Sequence, residues 1–136
     1  MYIGDSLESW RSKKQQIVSR SLCEAEYRTM ASTACELVWL ASLLSFFNIS
    51  VSHMFLYCDN QDAIHLASNQ VFYERTKHIK VSCHFVRNKV KSGFLKNFHV
   101  RSTDQLADIF TKALHSPAFR AFLIKLGLLN IHQRPA

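Results

Sequence analysis

The chain has 136 residues, 48% hydrophobic and 20% charged, the composition of an ordinary globular protein with one core and no room for a second. Seventeen Lys and Arg against ten Asp and Glu leave a formal charge of +7, which suggests a polyanionic partner, although basic proteins without a nucleic-acid role are common. No low-complexity tract, repeat, leader-like N-terminus or membrane-length apolar run is visible, so an intracellular protein is expected, cytoplasmic or nuclear, not secreted, with no membrane partner.

From the N-terminus, Gly4-Asp5-Ser6 is a turn signal, and the alternation of Leu7-Glu8-Ser9-Trp10 predicts a second strand after it. The strand before the turn is very short, as if cut, and Arg11, Lys13 and Lys14 put a basic rim on the hairpin. Ser21-Leu22-Cys23-Glu24 is a capping box opening the longest helix. Cys23, Tyr27, Met30, Ala34, Leu37, Ala41 and Leu44 recur at steps of four and three and form its core stripe. Glu24 is accounted for by the cap, and Glu36 points away from the stripe towards solvent. Glu26 lies about 60° from the stripe's centre, at a core boundary where no capping or pairing role explains it, although boundary glutamates are more often structural.

Asn48 ends that helix, and Met54-Phe55-Leu56-Tyr57-Cys58 reads as a buried strand that delivers Asp59 to its carboxyl end, where ligands of open α/β sheets collect. The plain alternative is that Asp59 caps the short helix after it, whose inner face is Ala63, Ile64 and Ala67. A third helix is predicted over Arg75 to Ser92, with Ile79, Cys83, Val86 and Val90 inside and Gly93 as its stop. Lys80, His84, Arg87 and Lys91 make a basic ridge on it, with Lys77 beside them, suited to backbone phosphates or simply to water. His78 and His84 face different ways and make no metal pair, and the spacing of Cys23, Cys35, Cys58 and Cys83 fits no zinc site, so free buried thiols are expected. Phe94 to Val100 alternate as a strand, Thr103 caps a helix with Leu106, Ile109, Phe110 and Ala113 inside, and Ser116-Pro117 starts a last helix with Phe119, Phe122, Leu123 and Leu126 inside. An exposed pair with Lys112 is enough to explain Asp108.

Singly, Glu26, Asp59 and Asp108 each have a plain explanation, but three acids on separate elements of one α/β chain are what a two-metal phosphodiester site requires. The strings Ser-Arg-Ser-Leu-Cys-Glu-Ala-Glu-Tyr-Arg (19–28), Leu-Tyr-Cys-Asp-Asn-Gln (56–61), Glu-Arg-Thr-Lys-His-Ile (74–79), His-Phe-Val-Arg (84–87) and Gln-Leu-Ala-Asp-Ile-Phe-Thr-Lys (105–112) closely resemble the ribonuclease H domain of copia-type retrotransposon polyproteins. The likeness runs from about residue 4 to residue 128, leaving 129–136 as a C-terminal tail.

The resemblance implies an α/β, three-layer ribonuclease H-like fold with a mixed sheet, and hydrolysis of the RNA strand of an RNA/DNA hybrid during reverse transcription. It implies that Glu26, Asp59 and Asp108 ligate two Mg²⁺ or Mn²⁺ ions, with Asn60, Gln61, Lys77, Lys80, His84, Arg87 and Lys91 near the nucleic acid. The partners it implies are the hybrid and the reverse transcriptase portion of the parent polyprotein. The family's first strand, central in its sheet and bearing a further aspartate, has no match here, and Asp5 falls in a later turn. A histidine-bearing loop before the late aspartate also lacks a counterpart in Val100-Arg101-Ser102-Thr103. A truncated copy with little or no hydrolysis is therefore expected, the rivals being a non-catalytic nucleic-acid-binding remnant and a decayed reading frame that does not fold alone.

Overall fold

The computed structural model describes residues 1–16, 18–69 and 80–128, with side chains from residue 84 onward in the last stretch. Helices and strands are mixed, as expected. The elements are β1 (Tyr2–Ile3), β2 (Ser6–Leu7), α1 (Leu22–Phe46), β3 (Met54–Cys58), α2 (Gln61–Ser68), α3 (Lys80–Lys91), β4 (Leu95–His99), 3₁₀ turns at Ser102–Asp104 and Leu106–Phe110, and α4 (Ser116–Lys125). They form two compact units, one of Ile17–Thr103 and one joining Met1–Gln16 to Asp104–Ala136.

The larger unit is built on a parallel pair. β3 and β4 run in register from Met54 opposite Leu95 to Cys58 opposite His99, and the Val100 amide extends the ladder to the Cys58 carbonyl at 3.0 Å. Parallel strands need a long crossover, and α2 and α3 occupy it. The pleat turns Leu56, Cys58 and Leu95 inward, whereas Phe55, Tyr57 and Phe98 are exposed on the other face, where the Phe98 ring lies against both of the others.

α1 starts where the capping box predicts, with Ser21 Oγ accepting the Glu24 amide at 3.1 Å. The Glu24 carboxylate reaches one residue further back than the motif's usual partner and accepts the Arg20 amide at 3.1 Å. Tyr27, Met30, Ala31, Ala34 and Leu37 are buried, while Cys23, Ala41 and Leu44, where the stripe approaches the helix ends, are only half-buried. Glu36 is half-buried rather than solvated. The helix ends in a Schellman motif. Asn48 adopts φ 60, its amide bonds Ser45 and the Ile49 amide bonds Leu44, each at 3.0 Å.

One expectation about α1 is corrected. With 25 residues and a mean hydropathy of 1.3 over its most apolar window, it is long and apolar enough to cross a membrane by length and composition. The same test is passed by core helices, and this one buries Tyr27, Met30, Ala31, Ala34 and Leu37 while Leu22, Trp39, Leu43 and Phe46 stay exposed.

Two further expectations change. The third helix is described from Lys80, so its predicted start at Arg75, with Lys77, His78 and Ile79, lies outside the described residues; it closes before Gly93, which has φ 74. The helix expected from Thr103 to Lys112 is instead two 3₁₀ turns. Gln105, not Thr103, is the cap, its side chain accepting the Ala107 amide at 3.4 Å, and the Thr111 amide closes back on Asp108 at 3.1 Å. A start at Leu106 leaves too few residues to repay helix nucleation.

In this smaller unit β1 and β2 pair antiparallel around Gly4, with Tyr2 opposite Leu7, so the second strand stops well short of the predicted Trp10. Trp10 stacks on Phe110 with ring centres 6.0 Å apart. α4 begins at the predicted Ser116-Pro117 and buries Phe122, and Gly127 with φ 68 ends the helix. Of its predicted inner face, Phe119 stays exposed.

Candidate metal centre

β3 ends at Cys58, so Asp59 is the first residue past the strand, and α2 begins two residues later. The cap of α2 is Asn60, whose Oδ1 accepts the Ala63 amide at 3.0 Å. The plain explanation for Asp59 therefore fails. Its Oδ2 instead accepts the Ser102 hydroxyl at 3.2 Å, a bond from the chain just beyond β4. The parallel pairing of β3 and β4 brings those two strand exits side by side.

Glu26 enters from α1. The fully buried Tyr27 and the buried Met30 anchor that turn, leaving Glu26 half-buried at the core boundary anticipated from the helix periodicity. One donor atom each from Glu26, Cys58 and Asp59 lies within 4.8 Å of the others, a set that could hold a metal ion. Two carboxylates and a thiol from two elements thus converge. Cys58 was read from sequence as a core thiol only, and Ser102 as loop; strand alternation hides the first and a long sequence separation hides the second.

The electrostatics of the cluster are uneven. Burial pushes the Cys58 thiol up, the Asn60 backbone pulls the other way, and the negative charges of Glu26 and Asp59 push it up further. Nearby Glu24 is committed to the helix start. The Arg28 guanidinium, 2.8 Å away, and then the Arg20 amide hold its carboxyl below the usual range.

Asp108, the third expected acid, belongs to the smaller unit. It sits in the 3₁₀ turn Leu106–Phe110, where Lys112 Nζ lies 2.8 Å from its Oδ2. The predicted pair is present, but the Asp108 side chain is half-buried rather than exposed. Glu26 and Asp59 are thus brought together within one unit, and Asp108 is carried by the other.

The basic ridge on α3 is revised. His84 and Lys91 are exposed, but Arg87 is buried at 5% exposure, its Nη2 donating to the carbonyls of Asn69 at 3.0 Å and Leu66 at 3.5 Å. Those carbonyls end α2, where helix geometry leaves acceptors without partners and the dipole favours a cation. Arg87 is a clamp between α3 and α2, because its helical position faces the neighbouring helix end more nearly than water. Asn60 is occupied as a cap and Gln61 is exposed at the first turn of α2. Lys77 and the Lys80 side chain lie outside the described residues.

What these features define is a mixed helix-and-strand chain with an acid-and-thiol cluster at the exit of a parallel strand. Its homologues are transposon polyproteins. The chain is 48% identical over 132 residues to the retrovirus-related Pol polyprotein from transposon RE2 and 46% identical over 132 residues to that from transposon RE1, both of Arabidopsis thaliana. It is 37% identical over 106 residues to the retrovirus-related Pol polyprotein from transposon TNT 1-94 of Nicotiana tabacum. The matches cover 96%, 96% and 78% of this chain, which spans only 9%, 9% and 8% of the respective relatives. No family model and no solved structure matches the chain.

Proposed function

We propose that this chain is the ribonuclease H-like portion of a copia-type retroelement Pol polyprotein, whose parent activity is hydrolysis of the RNA strand of an RNA/DNA hybrid during reverse transcription. The observation that carries the reading is the convergence of Glu26 and Asp59, from α1 and the end of β3, on one cluster. The resemblance and the similarity to Pol polyproteins supply the biological setting.

The donor set suits Mg²⁺ or Mn²⁺, since hard divalent ions take carboxylate oxygens and these two are offered from different elements. Such ions, when bound in a pair, activate a water and stabilise the leaving oxygen of phosphodiester hydrolysis. Glu26 and Asp59 would hold them, and the Ser102 hydroxyl on Asp59 orients that carboxylate. Asp108, paired with Lys112 in the other unit, is the third carboxylate that the resemblance assigns. His84 and Lys91, exposed on α3, would meet hybrid phosphates. Arg87, committed to the α2 carbonyls, drops out of that contact set.

The family pattern has four carboxylates and three are matched within these 136 residues, so hydrolysis by this chain alone is expected to be slow or absent. The test therefore has two arms, Mn²⁺ binding followed by electron paramagnetic resonance and cleavage of a labelled hybrid, each on wild type and Asp59→Asn. Mn²⁺ binding that disappears in the variant is the expected result. Absence of Mn²⁺ binding by the folded wild type, or hybrid cleavage that survives Asp59→Asn, would overturn the reading. Steeply salt-dependent hybrid binding without any cation site would favour the non-catalytic binding module.

A further inference from the structure

We infer that Cys58 is a ligand, and that Glu26, Cys58 and Asp59 together form a mixed oxygen and sulfur site for a softer divalent ion such as Zn²⁺, in competition with Mg²⁺. The inference rests on the reading of Glu26 and Asp59 as cation ligands and adds a donor of different chemistry.

Adjacent residues of a strand point to opposite faces, so Cys58 inside and Asp59 outside is the default. The chain breaks that alternation. β3 ends at Cys58, and the turn into α2 brings the Asp59 carboxylate within 4.8 Å of the Cys58 sulfur and of Glu26. Three protein donors from two elements is the ligand count of reactive zinc sites, which keep a fourth position for water or substrate. At zinc bond lengths of about 2.0–2.3 Å, tetrahedral donors sit roughly 3.4–3.6 Å apart, so small side-chain rotations close the cluster. The thiol is buried and donates only a long bond to the Asn60 carbonyl at 3.7 Å. As the metal–sulfur bond forms, that thiol proton passes to solvent and no electrons change hands. Mg²⁺ gains nothing from sulfur, whereas Zn²⁺, Co²⁺ and Cd²⁺ do, so the third donor shifts preference towards them.

The experiment is titration of the full chain, thiols reduced, with Co²⁺ as a spectroscopic stand-in, and then displacement by Zn²⁺. A sulfur-to-cobalt charge-transfer band in the near ultraviolet is expected, present in Cys23→Ser and Cys35→Ser, absent in both Cys58→Ser and Cys58→Ala. Glu26→Gln should weaken Co²⁺ binding roughly 10- to 100-fold. Mn²⁺ affinity should change by less than about threefold in Cys58→Ala, because manganese favours the oxygen donors. Absence of the band in wild type, or its persistence in a folded Cys58 variant, overturns the inference. Mn²⁺ binding without the band leaves the proposed function intact and this inference refuted. The band with no loss on Glu26→Gln would show a thiol site without the carboxylates and refute the three-ligand set.

Discussion

Asn60 accepts the Ala63 amide at 3.0 Å and in doing so releases its neighbour Asp59 from any part in capping α2. The two residues are adjacent, polar and interchangeable as caps on paper, yet only one does the structural work. Asn60→Ala is expected to lower stability by about 1 kcal/mol in urea unfolding. Asp59→Asn should stay within about 0.5 kcal/mol of wild type, since no cap is lost and a charge near Glu26 is removed. A larger loss for Asp59→Asn than for Asn60→Ala would reverse the assignment.

Arg87 and Lys91 lie one turn apart on α3 but are expected to fail in different assays. Arg87→Met leaves the Asn69 and Leu66 carbonyls without a charged donor and should cost about 1.5–3 kcal/mol in unfolding experiments. Lys91 is exposed. If α3 tracks hybrid phosphates, Lys91→Ala should lower the slope of log affinity against log salt by about one, with stability nearly unchanged. Fluorescence anisotropy over a salt series measures this, and a slope indifferent to Lys91 would remove α3 from the interface.

Glu24 gives a pH dependence of definite sign. Its folded carboxyl is held low, first by Arg28 and then by the Arg20 amide, so the unfolded chain binds a proton more readily in the window below the ordinary carboxylate pKa. Stability from this group is therefore present above that ordinary value and lost as pH falls through the folded one. An NMR titration of Arg28→Ala should show the Glu24 midpoint moving up. No movement would mean that the cap alone sets it.

The thiols should react in the order of their burial. Cys35 is exposed and Cys58 is buried with its thiol pushed up, so iodoacetamide at about pH 8.5 should modify Cys35 well before Cys58. The linkage has the opposite sense to that of Glu24. Here the folded state keeps its proton longer, and the contribution is present below the ordinary thiol pKa and lost as pH rises through the folded one. Peptide mass spectrometry over a time course decides the order.

In the Asp108 and Lys112 pair the lysine side chain is 57% exposed and the aspartate 14%, so solvent screens the attraction from the lysine side. A double-mutant cycle with Asp108→Ala and Lys112→Ala should give a coupling of about 0.3–0.5 kcal/mol. A coupling above roughly 1 kcal/mol would mean that the pair is structural and that Asp108 is not readily freed for a metal.

Local signals carried far. The Ser21 cap, the α1 stripe through Tyr27, Met30 and Ala34, the Asn48 stop, the strand ending at Cys58 and the Ser116-Pro117 start are all written in short stretches, because capping and periodicity act within a turn or two. Glu26 stood out by its angle around that helix. The same local reasoning failed at Thr103 to Lys112, where one side chain, Gln105, claims the amide that would have continued an α-helix.

Other features depended on partners distant in sequence. Arg87 has the helical position of a ridge residue, and only the end of α2 lying against α3 turns it into a buried clamp. The sequence offered Asp59 as the cap, and only the turn after β3 gave that role to Asn60. Cys58 and Ser102 joined the site through a broken strand alternation and a parallel pairing across 44 positions of chain, from 58 to 102. Sequence alone determined most of the elements and the acids worth watching, since those follow from interactions between near neighbours. Tertiary structure decided which of the acids meet, because convergence depends on how separate elements pack, and that is settled by burial and by donors seeking acceptors across the fold.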